Sequence, residues 1–255
     1  MKKLIGIEFY KMRHDLLIWG AFLIVVIASI GTALSDTYEL NYIRYPRLEY
    51  YLVLQVMSHV FLILTIAITG YSIASDLQSG IVQNVLSAGV DRKSYYFSRL
   101  LVQILLTIAM FVIPALIFAL TRFLIGIGRG RINQAFSFTG FVLLLFFMSL
   151  QVLAYCVLIN MISYLCRSLM ISVSIGFGWL VVELLGSALT ESFHLEGMRK
   201  YTDLLPANVL SQCVDMLVDK PLALGELLRY GVIPVIFIVI CGSVGYLWFK
   251  YSDNF

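Results

Sequence analysis

The stretch Asp76-Leu-Gln-Ser-Gly-Ile-Val-Gln-Asn-Val-Leu-Ser-Ala-Gly-Val-Asp-Arg-Lys93 is a polar, amphipathic segment between two long apolar stretches. Its apolar residues recur at helical spacing, and amide side chains fill the other faces, which predicts a short helix. Gly89 is predicted to end that helix as a left-handed cap, and Asp91 to cap the next one. Because the flanking stretches are apolar enough to lie in lipid, the helix is predicted to work at the membrane surface.

The composition of the chain indicates an integral membrane protein. Of its 255 residues, 60% are hydrophobic and only 13% are charged, and the mean hydropathy is +0.92. A soluble domain has about 25% charged residues. The net charge of +3 indicates no nucleic-acid partner. The four cysteines lack CxxC spacing and the three histidines lie far apart, so neither a metal site nor a disulfide framework is predicted.

Six stretches are long and apolar enough to cross a bilayer, which needs about 20 residues. They lie near residues 16–35, 50–74, 98–121, 138–162, 168–190 and 229–249. Residues 1–15 alternate apolar and charged side chains and lack a cleavage site, so they are predicted to form an interfacial amphipathic helix and not a signal peptide. The predicted fold class is therefore an all-α membrane protein with six transmembrane helices, and residues 1–255 form one transmembrane domain.

The topology follows from the basic residues around the first span. Four basic residues precede that span (Lys2, Lys3, Lys11 and Arg13) and two follow it (Arg44 and Arg47), whereas the count over all loops is balanced. The even number of spans returns the chain to its starting side. Both termini and segment 76–93 are therefore predicted to be cytoplasmic, and segment 191–228 extracellular, in a multi-pass protein of the cell membrane.

Four features resemble the type-2 ABC exporter permeases, and together they cover most of the chain. They are the amphipathic start, the segment 76–93 followed by Ser98-Arg-Leu-Leu101, the run Leu205-Pro-Ala-Asn208 after the fifth span, and the ending Gly245-Tyr-Leu-Trp-Phe-Lys-Tyr-Ser-Asp253. In that family the segment between the second and third spans forms the helix that docks onto the ATPase. Each feature is weak alone, but their order and spacing are specific for the family.

The resemblance implies a transport subunit and no enzymatic activity in this chain. Separate cytoplasmic ABC ATPase subunits would bind ATP and Mg²⁺, and a second permease subunit, identical or similar, would complete the path. No catalytic, cofactor-binding or metal-binding residue is expected here. The alternative for the segment is an interfacial loop that floats on lipid. The residues expected to couple to the ATPase are Asp76, Ser79, Gly80, Ile81, Gln83, Asn84, Val85, Leu86, Ser87 and Arg92.

Polar residues inside the spans are candidates for a substrate path or a subunit interface. Glu183 is the one carboxylate deep in an apolar run, and an ionised group there costs about 3 kcal/mol on insertion scales. Gln55 and His59 share one face of the second span, and Gln103 lies on the third. For all four residues, hydrogen bonding between helices is the alternative. Gly176 and Gly178 are predicted to be close-packing positions.

The function predicted from the sequence is outward transport of an amphiphilic substrate, such as an antimicrobial peptide or bacteriocin, a drug or a lipid. The alternative is a secondary transporter driven by an ion gradient, which normally has intramembrane charges and repeated halves. Neither a repeat nor a second intramembrane carboxylate is visible in the sequence. An intramembrane enzyme is a third class, but Gly-x-Ser-x-Gly and metal-binding spacings are absent from the sequence. The sequence does not decide between a homodimer and a heterodimer.

Overall fold

The computed structural model describes residues 2–39, 46–128, 138–193, 205, 207–208 and 224–252. The predicted outer segments fall largely beyond these residues. Of segment 191–228, only residues 191–193, 205, 207–208 and 224–228 are described, and residues 40–45 and 129–137 also lie outside.

The described part of the chain is helical and contains no strand. Its helices are α1 (Lys2–Arg13), α2 (Leu16–Glu39), α3 (Pro46–Gln78), α4 (Ile81–Ser87), α5 (Arg92–Gly128), α6 (Phe138–Cys166), α7 (Leu169–Ser192) and α8 (Leu224–Tyr251). A tight turn joins α1 to α2, where the Asp15 carboxylate accepts the backbone N–H of Leu17 at 3.0 Å and so caps α2.

Six of the described helices are long and apolar enough to cross a membrane: α2, α3, α5, α6, α7 and α8. The predicted all-α, six-span architecture is confirmed. The helices at the polar segment run further than the predicted spans, because α3 continues to Gln78 and α5 already begins at Arg92. The polar segment is therefore two helix ends with a single short helix, α4, between them.

Helix α6 lies at the centre of the bundle, where it packs against α3, α5, α7 and α8. Helices α3 and α6 are the most buried spans, whereas α2, α7 and α8 expose most of their apolar side chains. In a membrane these exposed faces are available to lipid or to another protein.

A glycine sets the close approach of α7 to α3 and α6. A Cβ added at Gly176 would collide with Ile159 of α6 and would lie 2.8 Å from Cγ2 of Ile66 of α3. Gly178 differs, because a Cβ there would meet nothing within 4 Å. The close-packing prediction is therefore supported at Gly176 and was wrong at Gly178, which lies on the exposed face of the same helix.

Candidate functional site

Two glycines in the left-handed conformation separate α4 from the spans on either side. Gly80 has φ of 72° and Gly89 has φ of 84°, a region that is readily accessible only to glycine. The predicted cap at Gly89 is confirmed, and the Asp91 carboxylate accepts the N–H of Ser94 at 3.2 Å, as expected for a cap of α5. The turn at Gly80 was not predicted, and it removes Asp76 and Leu77 from the short helix.

Helix α4 has one face that is anchored to the bundle. Val82 is 2% exposed, and it packs in a cluster with Ile73 of α3 and aromatic residues of α5, α6 and α8. Those aromatic residues are Tyr95, Tyr96, Tyr164 and Phe249. Val85 and Leu86 are half-buried against the same cluster. The apolar stripe of α4 therefore packs largely against the protein itself.

The opposite face of α4 is exposed, and we name it the docking face after the role that is proposed for it below. It consists of Ile81, Gln83, Asn84 and Ser87. Ile81 is 40% exposed and contributes apolar surface, while the side-chain amides of Gln83 and Asn84 offer hydrogen-bond donors and acceptors. The Ser87 hydroxyl donates to the carbonyl of Gln83 at 2.8 Å and so stabilises the last turn.

Four charged residues meet behind α4, and they are called here the charge cluster: Glu8, Lys11, Asp76 and Arg99. Nη2 of Arg99 lies 2.6 Å from Oδ2 of Asp76, while Nη1 pairs with Glu8 and Lys11 pairs with the other Asp76 oxygen. The Arg99 and Asp76 side chains are 1% and 3% exposed. The cluster contains two positive and two negative groups, so its net charge is zero. Each buried charge therefore has a partner of opposite sign that offsets part of its desolvation cost.

The charge cluster ties three helices together. Glu8 and Lys11 belong to α1, Asp76 to the last turn of α3, and Arg99 to the beginning of α5. Arg99 also donates to the Ser72 carbonyl at 2.7 Å and to the Ser72 hydroxyl at 2.8 Å. Asp76, one of the residues expected to couple to the ATPase, is therefore an internal residue and does not reach the docking face.

Helix α1 packs a charged residue against the bundle, which its amphipathic pattern alone did not indicate. Its inward face includes Ile5, Glu8 and Met12, so a carboxylate lies on the side that packs against the protein. Phe9 and Tyr10, by contrast, are exposed. Burial lowers the pKa of the Lys11 ammonium, and the negative charge of Asp15 acts in the opposite direction. The helix thus adds ionic contacts to the bundle as well as apolar area.

Two further residues expected to contact the ATPase have partners within the chain. Nη1 of Arg92 lies 2.7–3.3 Å from the carbonyl oxygens of Phe249, Lys250 and Ser252, where α8 ends. The Ser79 hydroxyl donates to the Asp76 carbonyl at 3.3 Å. Both residues thus complete helix ends whose carbonyls lack intrahelical donors.

The polar candidates in the spans do not form one site. Gln103 of α5 is buried and donates to Thr69 of α3 at 2.9 Å, beside a cavity of about 10 Å³. That space is no larger than one water molecule needs. His59 is half-buried on α3, and the side chain of Gln55 lies outside the described residues. Hydrogen bonding between helices therefore accounts for Gln103 in this structure.

Glu183 has a separate set of partners on the other side of the bundle. Trp179 donates its indole N–H to one carboxylate oxygen, and the N–H of Ala207 donates to the other at 3.0 Å. The Tyr155 hydroxyl of α6 is buried near the same carboxylate but makes no hydrogen bond with it. Glu183 thus joins α7 to a piece of the outer segment, and it is fully buried.

The comparison with known families agrees with this arrangement. Residues 4–183 match the model described as ABC-2 family transporter protein, which is more than half of the chain. The match includes the docking face, the charge cluster and Glu183. Among the curated proteins, none matches the chain significantly. With six apolar spans and a family match of this length, the chain belongs to the ABC-2 transporter family and is a membrane permease.

Proposed function

We propose that this permease is the membrane-spanning subunit of an ATP-driven exporter, and that separate ABC ATPase subunits bind its docking face. The observation that carries the proposal is the two-sided packing of α4. One face buries Val82 in the bundle, while Ile81 and its polar neighbours remain available to a partner. A helix that only floated on lipid would place its apolar residues in the bilayer and would not anchor them in the protein.

The connections of α4 would let it transmit a movement of the ATPase to the spans. The turns at Gly80 and Gly89 join it directly to α3 and α5. The Val82 cluster adds contacts to α6 and α8, and the charge cluster fixes the adjoining ends of α3 and α5 to α1. Because packed elements shift as units, displacement of α4 would be shared among these helices.

The orientation of the chain is part of the proposal. The structure brings α1, α4 and the end of α8 to the same side of the bundle, through Lys11 with Asp76 and Arg92 with Ser252. ATP is cytoplasmic, so an ATPase that binds α4 requires this side, and with it both termini, to face the cytoplasm. The basic residues before the first span favour the same orientation.

We propose an amphiphilic cargo and a path between two permease subunits. The cavity beside Gln103 is too small for such a cargo, and we place the path at a surface of the subunit. The exposed faces of α2, α7 and α8 are apolar, which suits a molecule that partitions into the bilayer. Antimicrobial peptides, drugs and lipids share this chemistry, and the ATPase would hold the ATP and Mg²⁺.

Photo-crosslinking from the docking face tests the proposal. A photoreactive amino acid at position 81 of the full chain, in native membranes, is expected to capture a protein that carries a Walker A motif. ATP hydrolysis should co-purify with the permease. Ile81→Asp is expected to reduce that co-purified activity at least tenfold, which corresponds to about 1.4 kcal/mol of binding, whereas Ile81→Leu should retain it.

The control uses a surface at the opposite end of the bundle. A photoreactive group at position 193, exposed after the end of α7, should capture no ATPase. Capture of the ATPase from position 193 and not from position 81 would refute the docking face. Gradient-driven transport by proteoliposomes that contain this chain alone would refute the ATP-driven mechanism.

A further inference from the structure

Glu183 uses both carboxylate oxygens and its backbone carbonyl to hold other groups. The indole of Trp179, one turn earlier on α7, donates to Oε1, and the N–H of Ala207 donates to Oε2. The amide of Asn208 donates to the Glu183 carbonyl at 3.4 Å. Neither transport nor ATPase docking, as proposed above, uses any of these contacts.

The position of this contact along α7 places part of the outer segment inside the membrane. Glu183 lies nine residues before the helix ends at Ser192, which at 1.5 Å per residue is about 14 Å. Ala207 and Asn208, which contact Glu183, therefore lie well inside the bundle and not at the level where α7 ends. They are 0% and 4% exposed, as backbone at this depth must be when it is not part of a complete helix.

The geometry at residues 205–208 explains why a carboxylate is needed. The N–H of Asn208 donates to the Leu205 carbonyl at 3.1 Å and closes a turn, and residues 207 and 208 are helical. The N–H of Ala207 points out of that turn and needs an acceptor, because no water is available in the apolar interior. A carboxylate accepts such hydrogen bonds more strongly than a neutral group does.

We propose that Glu183 is a positioning residue that anchors the turn closed by Leu205 and Asn208 inside the membrane. The anchor consists of Glu183 with Trp179 and Ala207. It keeps Ala207 seated in the apolar cluster that α6 and α7 contribute to. Loss of the carboxylate releases the turn toward the side of the membrane opposite α4.

Cysteine labelling of the full chain tests the anchor directly. The four native cysteines are first replaced, and Ala207→Cys then introduces one thiol without removing the backbone N–H. A membrane-impermeant maleimide is added on the side opposite α4, and the labelling rate is measured. Glu183→Leu is expected to raise that rate at least tenfold. Glu183→Gln keeps one acceptor oxygen, so a smaller increase is expected.

Two controls separate release of the turn from a general loss of structure. Gln103→Leu removes a buried polar group between α3 and α5, and it should leave the labelling rate at position 207 unchanged. A thiol introduced by Phe193→Cys, which is exposed already, should react at one rate in all variants. Neither measurement requires an ATPase or a substrate, so the result is independent of the proposed ATP-driven export.

The proposal would be overturned by equal labelling rates in Glu183→Leu and its parent. A changed KM for transport with an unchanged labelling rate would also overturn it, because Glu183 would then act on the substrate. If Glu183→Leu does not accumulate in the membrane, Glu183→Gln and Trp179→Phe decide. The thiol at position 207 must be labelled faster in each of these variants than in Gln103→Leu. Equal labelling rates would again refute the anchor.

Discussion

Nη1 of Arg92, in the first turn of α5, lies 2.7 Å from the backbone carbonyl of Ser252, just after α8 ends. The last carbonyls of a helix have no intrahelical donors and carry partial negative charge, so a guanidinium stabilises them. Arg167, in the turn between α6 and α7, donates to the Ser252 hydroxyl as well. The end of the last span is therefore bound to the beginning of α5 and to the turn between α6 and α7.

Arg92→Ala is expected to loosen the end of α8. Loss of a charged donor at a helix terminus should cost about 1–2 kcal/mol, and hydrogen exchange at the amides of residues 249–252 should accelerate. The exposed neighbour Lys93 provides the control, because Lys93→Ala removes the same charge without these contacts. Equal exchange in the two variants would contradict the assigned role of Arg92.

Arg99→Gln is expected to destabilise the whole subunit. It leaves Asp76 and Glu8 as buried carboxylates without their shared cation, which should cost about 3 kcal/mol. The midpoint of thermal unfolding in detergent measures the loss. Because the groups interact directly, Asp76→Asn combined with Arg99→Gln should cost less than the sum of the two single changes. If the two losses of stability add exactly, Asp76 and Arg99 do not stabilise the protein by interacting with each other.

Neighbouring residues on α4 are expected to separate stability from ATPase binding. Val82→Ala removes buried methyl groups and should cost about 1–2 kcal/mol of stability, with the docking face unchanged. Ile81→Ser should leave the unfolding midpoint within 1 °C of the parent, a tolerance of roughly 0.3 kcal/mol, and should weaken the co-purified ATPase activity. The unfolding midpoint and the co-purified ATPase activity are measured for both variants. The reverse pattern would mean that the two faces of α4 are assigned the wrong way round.

Gly176→Leu is expected to push α7 away from α3 and α6. The new side chain would meet Ile66 and Ile159, and overpacking of this kind costs about 1–3 kcal/mol. Gly178→Leu is the matched control, since it lies on the exposed face of the same helix. It should change the unfolding midpoint little. A loss at Gly178 as large as that at Gly176 would point to helix backbone effects and not to packing.

Local features of the site were predictable from the sequence. The six spans follow from apolar runs of the required length, and their positions agree with the helices that could cross a membrane. The caps at Gly89 and Asp91 follow from residue type and position, since each involves residues within a few places along the chain. The family match over residues 4–183 confirms the resemblance to ABC-2 permeases that the sequence motifs suggested.

The pairing of the polar residues was not predictable in the same way. Lys11 and Asp76 are 65 residues apart, and Arg92 and Ser252 are 160 apart, so no periodicity connects them. The amphipathic pattern of α1 identified its charged residues, but it could not show that Glu8 packs inward. In a protein surrounded by lipid, a polar side chain turns toward whichever partner is buried nearby, and only the tertiary structure identifies that partner.

The contact between Asp76 and Arg99 also bears on how the chain enters the membrane during biosynthesis. An arginine that enters the bilayer without a partner costs about 3 kcal/mol. Asp76 is synthesised before Arg99, so it is already present to pair with it. Helices α3 and α5 would then partition into lipid together, as a hairpin whose two charges cancel. Asp76→Leu should therefore reduce the integration of α5 in a stepwise insertion assay, although Asp76 itself lies on a different helix.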